Sequence, residues 1–363
     1  MPSYTSKISA KLSFFLLLGL LWAGCEPKVP IEPPQADFAT GVYACNEGIF
    51  SQTSGTISHY NPNTKQLRAG GCLFRSVNSR DLGNVVQSMA FWGEKVYIVV
   101  NNSNKIEVAN AENWQESAQI TGLQQPRYIL PISEHILYVS QWGNDGLTGE
   151  IKVIQLPENQ IIASIPTYKG AEAMFLHNSQ AWLSHTGGYD YDNRLAIINT
   201  NTHTLAHTIA LPADVPNSIT KDAQNRLWVA CMGKTIYSNF PEIDSASSTE
   251  SALICIDADT RQILRHIRLD IGGNARHLQS DASGNALFYS YRDGVYRFDI
   301  ANEQSQRIAI GNFYGLGFDK ARGELYAGRN SGISAAQVLR LSPQGTVIDS
   351  FLAGVFVNGL YFR

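Results

Sequence analysis

From about residue 40 onward the chain breaks into short runs in which apolar residues take alternate positions, separated by clusters of Gly, Asn, Asp and Pro. A period of two puts successive side chains on opposite faces, so these runs predict strands joined by turns, with helix a minor component. One run recurs with a single layout: a polar residue, then apolar positions in alternation, then a turn. It stands at residues 56–61, 105–110, 150–155, 194–199, 252–257, 294–299 and 337–342, a spacing of roughly 45 residues that belongs to repeat architectures. Upstream of each copy lies a strand marked by an aromatic residue, in order Tyr43, Tyr97, Tyr138, Trp182, Trp228, Phe288 and Tyr326. Downstream comes a turn such as Asn61-Pro62-Asn63-Thr64 or Asp257-Ala258-Asp259-Thr260, so each unit is predicted to be a small antiparallel meander.

A further strand precedes most of the aromatic ones. Its copies begin Val86-Gln87, Pro126-Arg127, Ala171-Glu172, Pro216-Asn217, Ala275-Arg276 and Phe313-Tyr314, which serves six units; the seventh copy is the end of the chain, from Val357-Asn358 to Arg363. A sheet of four strands cannot bury both faces alone, whereas seven packed radially can, leaving only short protected edges. The expected fold is therefore all-β: a seven-bladed β-propeller of four-stranded antiparallel blades over residues 39–363, its first blade closed by the C-terminal strand beside Tyr43.

In such a ring the turns leading into the innermost strands converge on one mouth of the central channel. The aligned positions Gln87, Arg127, Glu172, Asn217, Arg276, Tyr314 and Asn358 are then neighbours, and every one can hydrogen bond. Two readings stand side by side: a ligand site, in which the two Arg meet phosphate or carboxylate, and a structural ring that holds channel waters and caps turns. The connections after the aromatic strands bring Phe50, Trp142, Tyr189, Tyr191, Tyr237, Phe240 and Tyr291 to the same mouth, several of them in Gly- and Asn-rich loops. Such flat apolar area suits a large ring system, with Trp142 and Tyr191 as the preferred anchors. The longest insertion lies between Met232 and Ser251, either a functional loop or a surface excursion.

Composition narrows the partners. The 363 residues are 44% hydrophobic and 16% charged, with 28 Lys and Arg against 31 Asp and Glu and a formal charge of −3. Binding to a duplex relies on clustered cations that displace counterions, and no window here holds such a cluster, so nucleic acid is not an expected partner. At the N-terminus, Lys7 and Lys11 precede the apolar run 14–22, which is too short to cross a hydrocarbon core of about 30 Å and has the layout of a signal peptide over residues 1–24. Ala23-Gly24-Cys25 follows and resembles a bacterial lipobox, with Trp22 where Leu is usual. Cys25 is the expected lipidation site, with cleavage by an ordinary signal peptidase as the alternative. Residues 25–38 carry Pro27, Pro30, Pro33 and Pro34 and are expected to form an extended tether. Acyl chains contribute about 0.8 kcal/mol per buried CH₂, so several of them anchor a domain to a membrane without a transmembrane helix.

The phrase from Val42 to Phe50 (Val-Tyr-Ala-Cys-Asn-Glu-Gly-Ile-Phe), followed by Gly55-Thr56-Ile57, Leu82-Gly83-Asn84, Val99-Val100-Asn101-Asn102-Ser103 and Pro126-Arg127-Tyr128, resembles one family, the YncE-like surface lipoproteins of the DUF5074 type. The similarity runs from about Gly41 to the C-terminus. That family includes propeller lipoproteins that capture cobalamin above TonB-dependent transporters of the outer membrane. The resemblance implies an outer-membrane, cell-surface lipoprotein that captures cobalamin or a related corrinoid and passes it to such a transporter. A ring scaffold hosts many sites, so membership alone does not fix the ligand. Cys45 departs from the aliphatic residue expected at its strand position, and as a small hydrophobe it should pack there.

Signals for other chemistry are sparse. The sequence has no H-E-x-x-H, no G-x-S-x-G and no P-loop, so catalysis, a cofactor and a resident metal are not expected. Asp190, Asp192 and Asn193 offer oxygen to calcium but too few ligands, and His277 reads as a core histidine rather than a cobalt ligand. Cys45, Cys72, Cys231 and Cys255 remain after the anchor, and buried free thiols and a Cys231–Cys255 bridge are both open. The leading expectation is a non-enzymatic binder of a large polar metabolite. The alternatives are a propeller enzyme of the lactonase or quinoprotein type, for which Glu172 as the one aligned carboxylate is too few, and a platform for protein or glycan contacts.

Overall fold

A computed structural model describes residues 38–363; the expected signal peptide, Cys25 and all of the tether but Phe38 lie outside the described residues. Seven antiparallel sheets of four strands stand in sequence order as the blades of a propeller. Their innermost strands are Val357–Phe362 for blade 1, then Val86–Trp92, Pro126–Ser133, Ala171–His177, Pro216–Lys221, Arg276–Ser280 and Phe313–Asp319 for blades 2 to 7. Each predicted aromatic marker lies on the second strand of its blade, and all seven are buried.

Strand alternation supplies both faces of every blade. In blade 4, Trp182 points into the seam toward blade 5 with Leu195 and Ile197, while its neighbours Ala181 and Leu183 point into the seam toward blade 3 with Ala196 and Ile198. The same division holds around the ring, so that the apolar interior of the described residues is seven inter-blade clusters rather than one central core. A channel is left at the axis because no strand crosses it.

Closure falls where the sequence places it. The C-terminal strand pairs with Val42–Asn46, with Val42 opposite Phe362, Tyr43 opposite Tyr361 and Ala44 opposite Leu360. Gly41 and Arg363 exchange backbone hydrogen bonds, 2.9 Å from Gly41 N to Arg363 O and 3.2 Å in return. The seam between blades 7 and 1 is reinforced by Tyr60 stacked on Phe351, ring centroids 4.2 Å apart. Nearby, buried Arg340 reaches Glu324, Asp349 and the Pro62 carbonyl.

Local departures are few. The insertion after blade 5's second strand forms a two-stranded ribbon, Tyr237–Asn239 with Glu242–Ile243. Lys234 and Thr249 are hydrogen bonded across its base at 2.8 Å. Blade 1 has the shortest outer strand, Gln66–Arg68, followed by a turn of 3₁₀ helix and the helix Leu73–Asn78. Cys45, Cys72, Cys231 and Cys255 are free thiols. Cys231 lies opposite Ala252 and Cys255 opposite Trp228, so the ladder keeps the two apart. Among the described residues no helix is long and apolar enough to cross a membrane.

Candidate functional site

Every innermost strand carries an irregularity near its start, and this is what aims the aligned side chains at the axis. In blade 2, Val86 pairs with Val100 and Ser88 with Val99, which leaves Gln87 as the extra residue. Asn217, Tyr314 and Asn358 are extra in the same way, while Arg127 with Tyr128 and Glu172 with Ala173 each form two residues opposite one. A bulge bends its strand and redirects a side chain out of the sheet's alternation. Blade 6 differs: Arg276 stays paired with Ser290, and His277 and Leu278 are bulged.

Four of the junctions between neighbouring blades are stitched at the bulges. Ser88 Oγ donates to the Arg127 carbonyl at 2.6 Å and Ser140 Oγ to the Glu172 carbonyl at 2.7 Å. Asn217 Nδ2 donates to the Ala275 carbonyl at 2.9 Å, and Asn358 Nδ2 to the carbonyls of Val86 and Gln87 at 3.1 and 2.9 Å. Two members of the ring, Asn217 and Asn358, thus cap neighbouring turns as well as facing the channel.

All seven aligned residues line one cavity of about 300 Å³ at the channel mouth, together with Trp142, Tyr191, Tyr128, Asp190, Met232 and His277. Glu47 lines it too, a carboxylate that, like Asp190, the alignment of inner strands does not contain. It follows the first strand of blade 1, and its backbone N–H donates to the Phe356 carbonyl at 3.0 Å. Gly48 beside it has φ +78°, and a Cβ there would stand 2.7 Å from the carbonyls of Thr53 and Ser54, so the turn that presents Glu47 requires glycine.

The wall divides into two halves of different electrostatic character. On the side of blades 2 to 4, Arg127 and Glu172 form a fork, Nη2 to Oε1 at 2.8 Å and Nε to Oε2 at 3.0 Å. Arg127 Nη1 also donates to Gln87 Oε1 at 2.7 Å, and Trp142 Nε1 donates to Glu172 Oε2 at 2.9 Å. The Trp142 ring lies beneath the Arg127 guanidinium, 4.2 Å to the centroid. Burial alone would pull the Arg127 pKa down, but the Glu172 carboxylate outweighs it and the net direction is up.

On the side of blades 6, 7 and 1 the charges are less completely matched. Glu47 Oε1 accepts from Asn358 Nδ2 at 3.0 Å and from the Tyr314 hydroxyl at 3.1 Å. Burial raises the Glu47 pKa, against the opposing hydrogen bonds of Asn358 and Tyr314 and the charges of Arg127 and Arg276. Arg276 lies over the Tyr314 ring, 5.6 Å to the centroid, and burial lowers its pKa against the pull of Tyr314 and Glu47. His277, expected as a core residue, instead borders the cavity. Burial, then the neighbouring Arg276, push its pKa down to about 3, so the imidazole is neutral near neutral pH.

The aromatic loops divide as well. Trp142 and Tyr191 reach the cavity; Tyr189 and Tyr237 stand outside it, 69% and 46% exposed. Tyr189 packs edge-on against Trp142, 5.9 Å between centroids, and its hydroxyl donates to Gln125 Oε1 at 2.9 Å. Gly146 at φ +68° makes room for that ring, since a Cβ there would lie 2.1 Å from Tyr189 Cδ2. Tyr191 donates to the Thr235 carbonyl at 3.2 Å, which ties its loop to the ribbon of blade 5. Phe50 and Phe240 are exposed, the latter tilted against Tyr237 at the ribbon tip, 5.3 Å between ring centroids. The expectation for Tyr291 is corrected: it ends the strand Ala286–Tyr291 and is buried, because its hydroxyl bridges the Asp270 backbone N–H and carboxylate, both at 2.7 Å.

The acidic loop of blade 4 is committed to cations of the protein, Asp190 to Lys169 and Asp192 to Arg194. Among the described residues no group of three or more His, Cys, Asp or Glu side chains is placed to share a metal ion.

Comparison with solved structures places the chain among propellers. A quinonprotein alcohol dehydrogenase-like protein from Bacteroides thetaiotaomicron superposes with TM-score 0.66 at 12% identity, over 90% of this chain and 79% of that one. A hydrazine synthase chain from Kuenenia stuttgartiensis gives TM-score 0.60 at 13% identity, over 74% of this chain and 89% of that one. A protein from Lactobacillus plantarum gives 0.62 at 10% identity, over 89% and 99%. These likenesses establish the fold alone. No curated protein matches the chain. A family described as "Domain of unknown function (DUF5074)" matches residues 40–341, and the chain belongs to that family.

Proposed function

We propose that the protein is a non-enzymatic binder that captures a polar metabolite at the channel mouth. The observation that carries this reading is the convergence of seven hydrogen-bonding side chains from seven blades, with Trp142 and Tyr191, on one cavity. Their positions are set by bulges and inter-blade hydrogen bonds before any ligand arrives, and a preorganised site spares the ordering cost that loops incur on binding. A volume of about 300 Å³ is at the small end of ligand pockets, roughly 300–1,000 Å³. A large metabolite therefore enters by one end and rests its remainder on the exposed aromatic rim.

The instance favoured by the sequence resemblance is a corrinoid of the cobalamin type, which carries amide arms for the polar ring, one phosphate for an arginine and a broad macrocycle for the rim. In this proposal the protein is lipidated at Cys25, stands on the outer membrane at the cell surface, and hands its ligand to a TonB-dependent transporter. The lactonase or quinoprotein alternative needs acidic or histidine ligands available in the channel. Glu172 is held by Arg127 and Trp142, and Glu47 by Tyr314 and Asn358, an arrangement that supports binding over chemistry.

Calorimetric titration of the full chain in detergent with cyanocobalamin tests the reading. Saturable binding at one site, weakened in a Trp142→Ala variant, is the expected result. No heat and no retention of colour on filtration would remove the corrinoid from the proposal.

A further inference from the structure

The two arginines of the ring are not equivalent. Arg127 spends its donors on Glu172 and Gln87, so a ligand anion would have to displace a buried fork that already has its counter-ion. Arg276 is the opposite case. Among the described residues its guanidinium makes no hydrogen bond or ion pair, and it lies over the Tyr314 ring. Five fixed donors are thus presented to the cavity without an acceptor from the described residues.

A second observation lies on the same side of the wall. Asn358 is 7% exposed, and its amide nitrogen is used by Glu47 and two backbone carbonyls. Its Oδ1 is buried with no partner. A buried acceptor left unsatisfied is costly, so this side of the wall is less completely satisfied by the protein itself than the side of the Arg127–Glu172 fork. The two groups are linked through one chain of contacts, Arg276 over the Tyr314 ring, and Tyr314 and Asn358 both on Glu47 Oε1.

We infer that the cavity contains an oxyanion subsite centred on Arg276, for a phosphodiester or carboxylate group of the bound metabolite. This rests on reading the cavity as a ligand site, and it deepens that reading by fixing which end of the ligand enters and which arginine receives it. Glu47 faces the same subsite as a like charge and sets its selectivity: a monoanion is tolerated beside it better than a dianion. His277 is neutral there and supplies no second cation.

The test uses the full chain in detergent with dimethyl phosphate, inorganic phosphate and acetate as probes, followed by phosphorus NMR and calorimetry, and cyanocobalamin in parallel with cobinamide, which lacks the phosphate-bearing loop. Wild type should bind dimethyl phosphate or acetate, whichever source of oxyanion the site takes, more tightly than inorganic phosphate at pH 8. Arg276→Gln should weaken that binding by about ten- to a hundredfold, the loss of charged hydrogen bonds. Arg276→Lys, which keeps the charge and loses the fork, should weaken it less and provides the comparison if the Gln variant fails to fold. The inference is overturned if no probe anion binds wild type, or if both variants bind as wild type does. Cyanocobalamin bound equally by wild type and Arg276→Gln also overturns the subsite while leaving capture of the corrinoid intact. Arg276-dependent anion binding without cyanocobalamin binding supports the subsite and dismisses the corrinoid.

Discussion

At the scale of single residues, the cavity shows how burial and pairing set the state of each charge. Glu47, like Arg276, is a group for which burial prevails over its partners: its pKa is raised although Asn358, Tyr314, Arg127 and Arg276 all favour the carboxylate. A raised carboxyl pKa disfavours the charged native state, so the stability linked to Glu47 is fully present below the ordinary glutamate pKa of about 4.3 and is lost as pH rises through the raised value. Glu47→Gln preserves an acceptor for Tyr314 and Asn358 and removes the charge. It is expected to melt higher than wild type at pH 8, with the gap closing toward pH 4. The histidines work in the other direction: burial lowers His185 to about 4 and His277 to about 3, so their contribution is present above the ordinary histidine pKa and lost as pH falls through those values. Comparing the two proteins at the same pH cancels that second effect. A gap independent of pH, or a wild type that is the more stable at pH 8, would show that Glu47 carries no such cost.

Strands and turns were the part of this molecule most open to reading from the sequence, for a physical reason. Period-two alternation is local, and in a propeller both faces of each strand are buried in seams, so Trp182 and Ala181 announce their blade without knowledge of its neighbours. The ring of polar residues was legible for a related reason, since six of the seven sit one position into an inner strand at a shared bulge, which turns a shared sequence position into a shared direction, while Arg276 opens its strand just before the bulge. Glu47 escaped alignment because it lies past the end of a second strand and is brought inward by Gly48 and by contact with Phe356, which the chain supplies from its opposite end. The phrase Asn46-Glu47-Gly48 held the only signal, as a turn glycine beside an acid. Tyr291 was misplaced because its strand runs one residue further than the loop composition suggests. The closing strand allows a direct test at this scale. Removing residues 360–363 strips three of the five pairings with Val42–Asn46 and the buried Leu360. Each buried backbone group left unpaired costs about 1–3 kcal/mol, against a total stability of about 5–15 kcal/mol for a domain. The truncated chain is expected not to fold stably, and a soluble product with the wild-type melting temperature would refute the closure.

For the whole molecule, the arrangement of seams implies that no blade is privileged except by where the chain begins and ends. Blade 1 takes three strands from one end of the ring's sequence and one from the other, and the two ends meet where Gly41 and Arg363 exchange hydrogen bonds. If radial packing rather than chain order holds the ring, the opening can be moved. A circular permutant that joins Arg363 to Thr40 through a short Gly-Ser linker and opens the exposed connection at Gly122, between the strands Glu116–Ile120 and Pro126–Ser133, makes every blade from continuous chain. It is expected to keep the seven seams and the cavity, with Arg127, Glu172 and Arg276 in place, and to melt no more than a few degrees from wild type. Its ligand affinity should match wild type, because the side chains that meet at the mouth are brought there by bulges within blades and by hydrogen bonds between adjacent blades, none of which crosses the new opening except the contacts of blades 2 and 3 that packing restores. A permutant that folds but loses the Arg127–Glu172 fork, seen as a loss of ligand affinity at unchanged stability, would show instead that the connection from blade 2 to blade 3 positions the site.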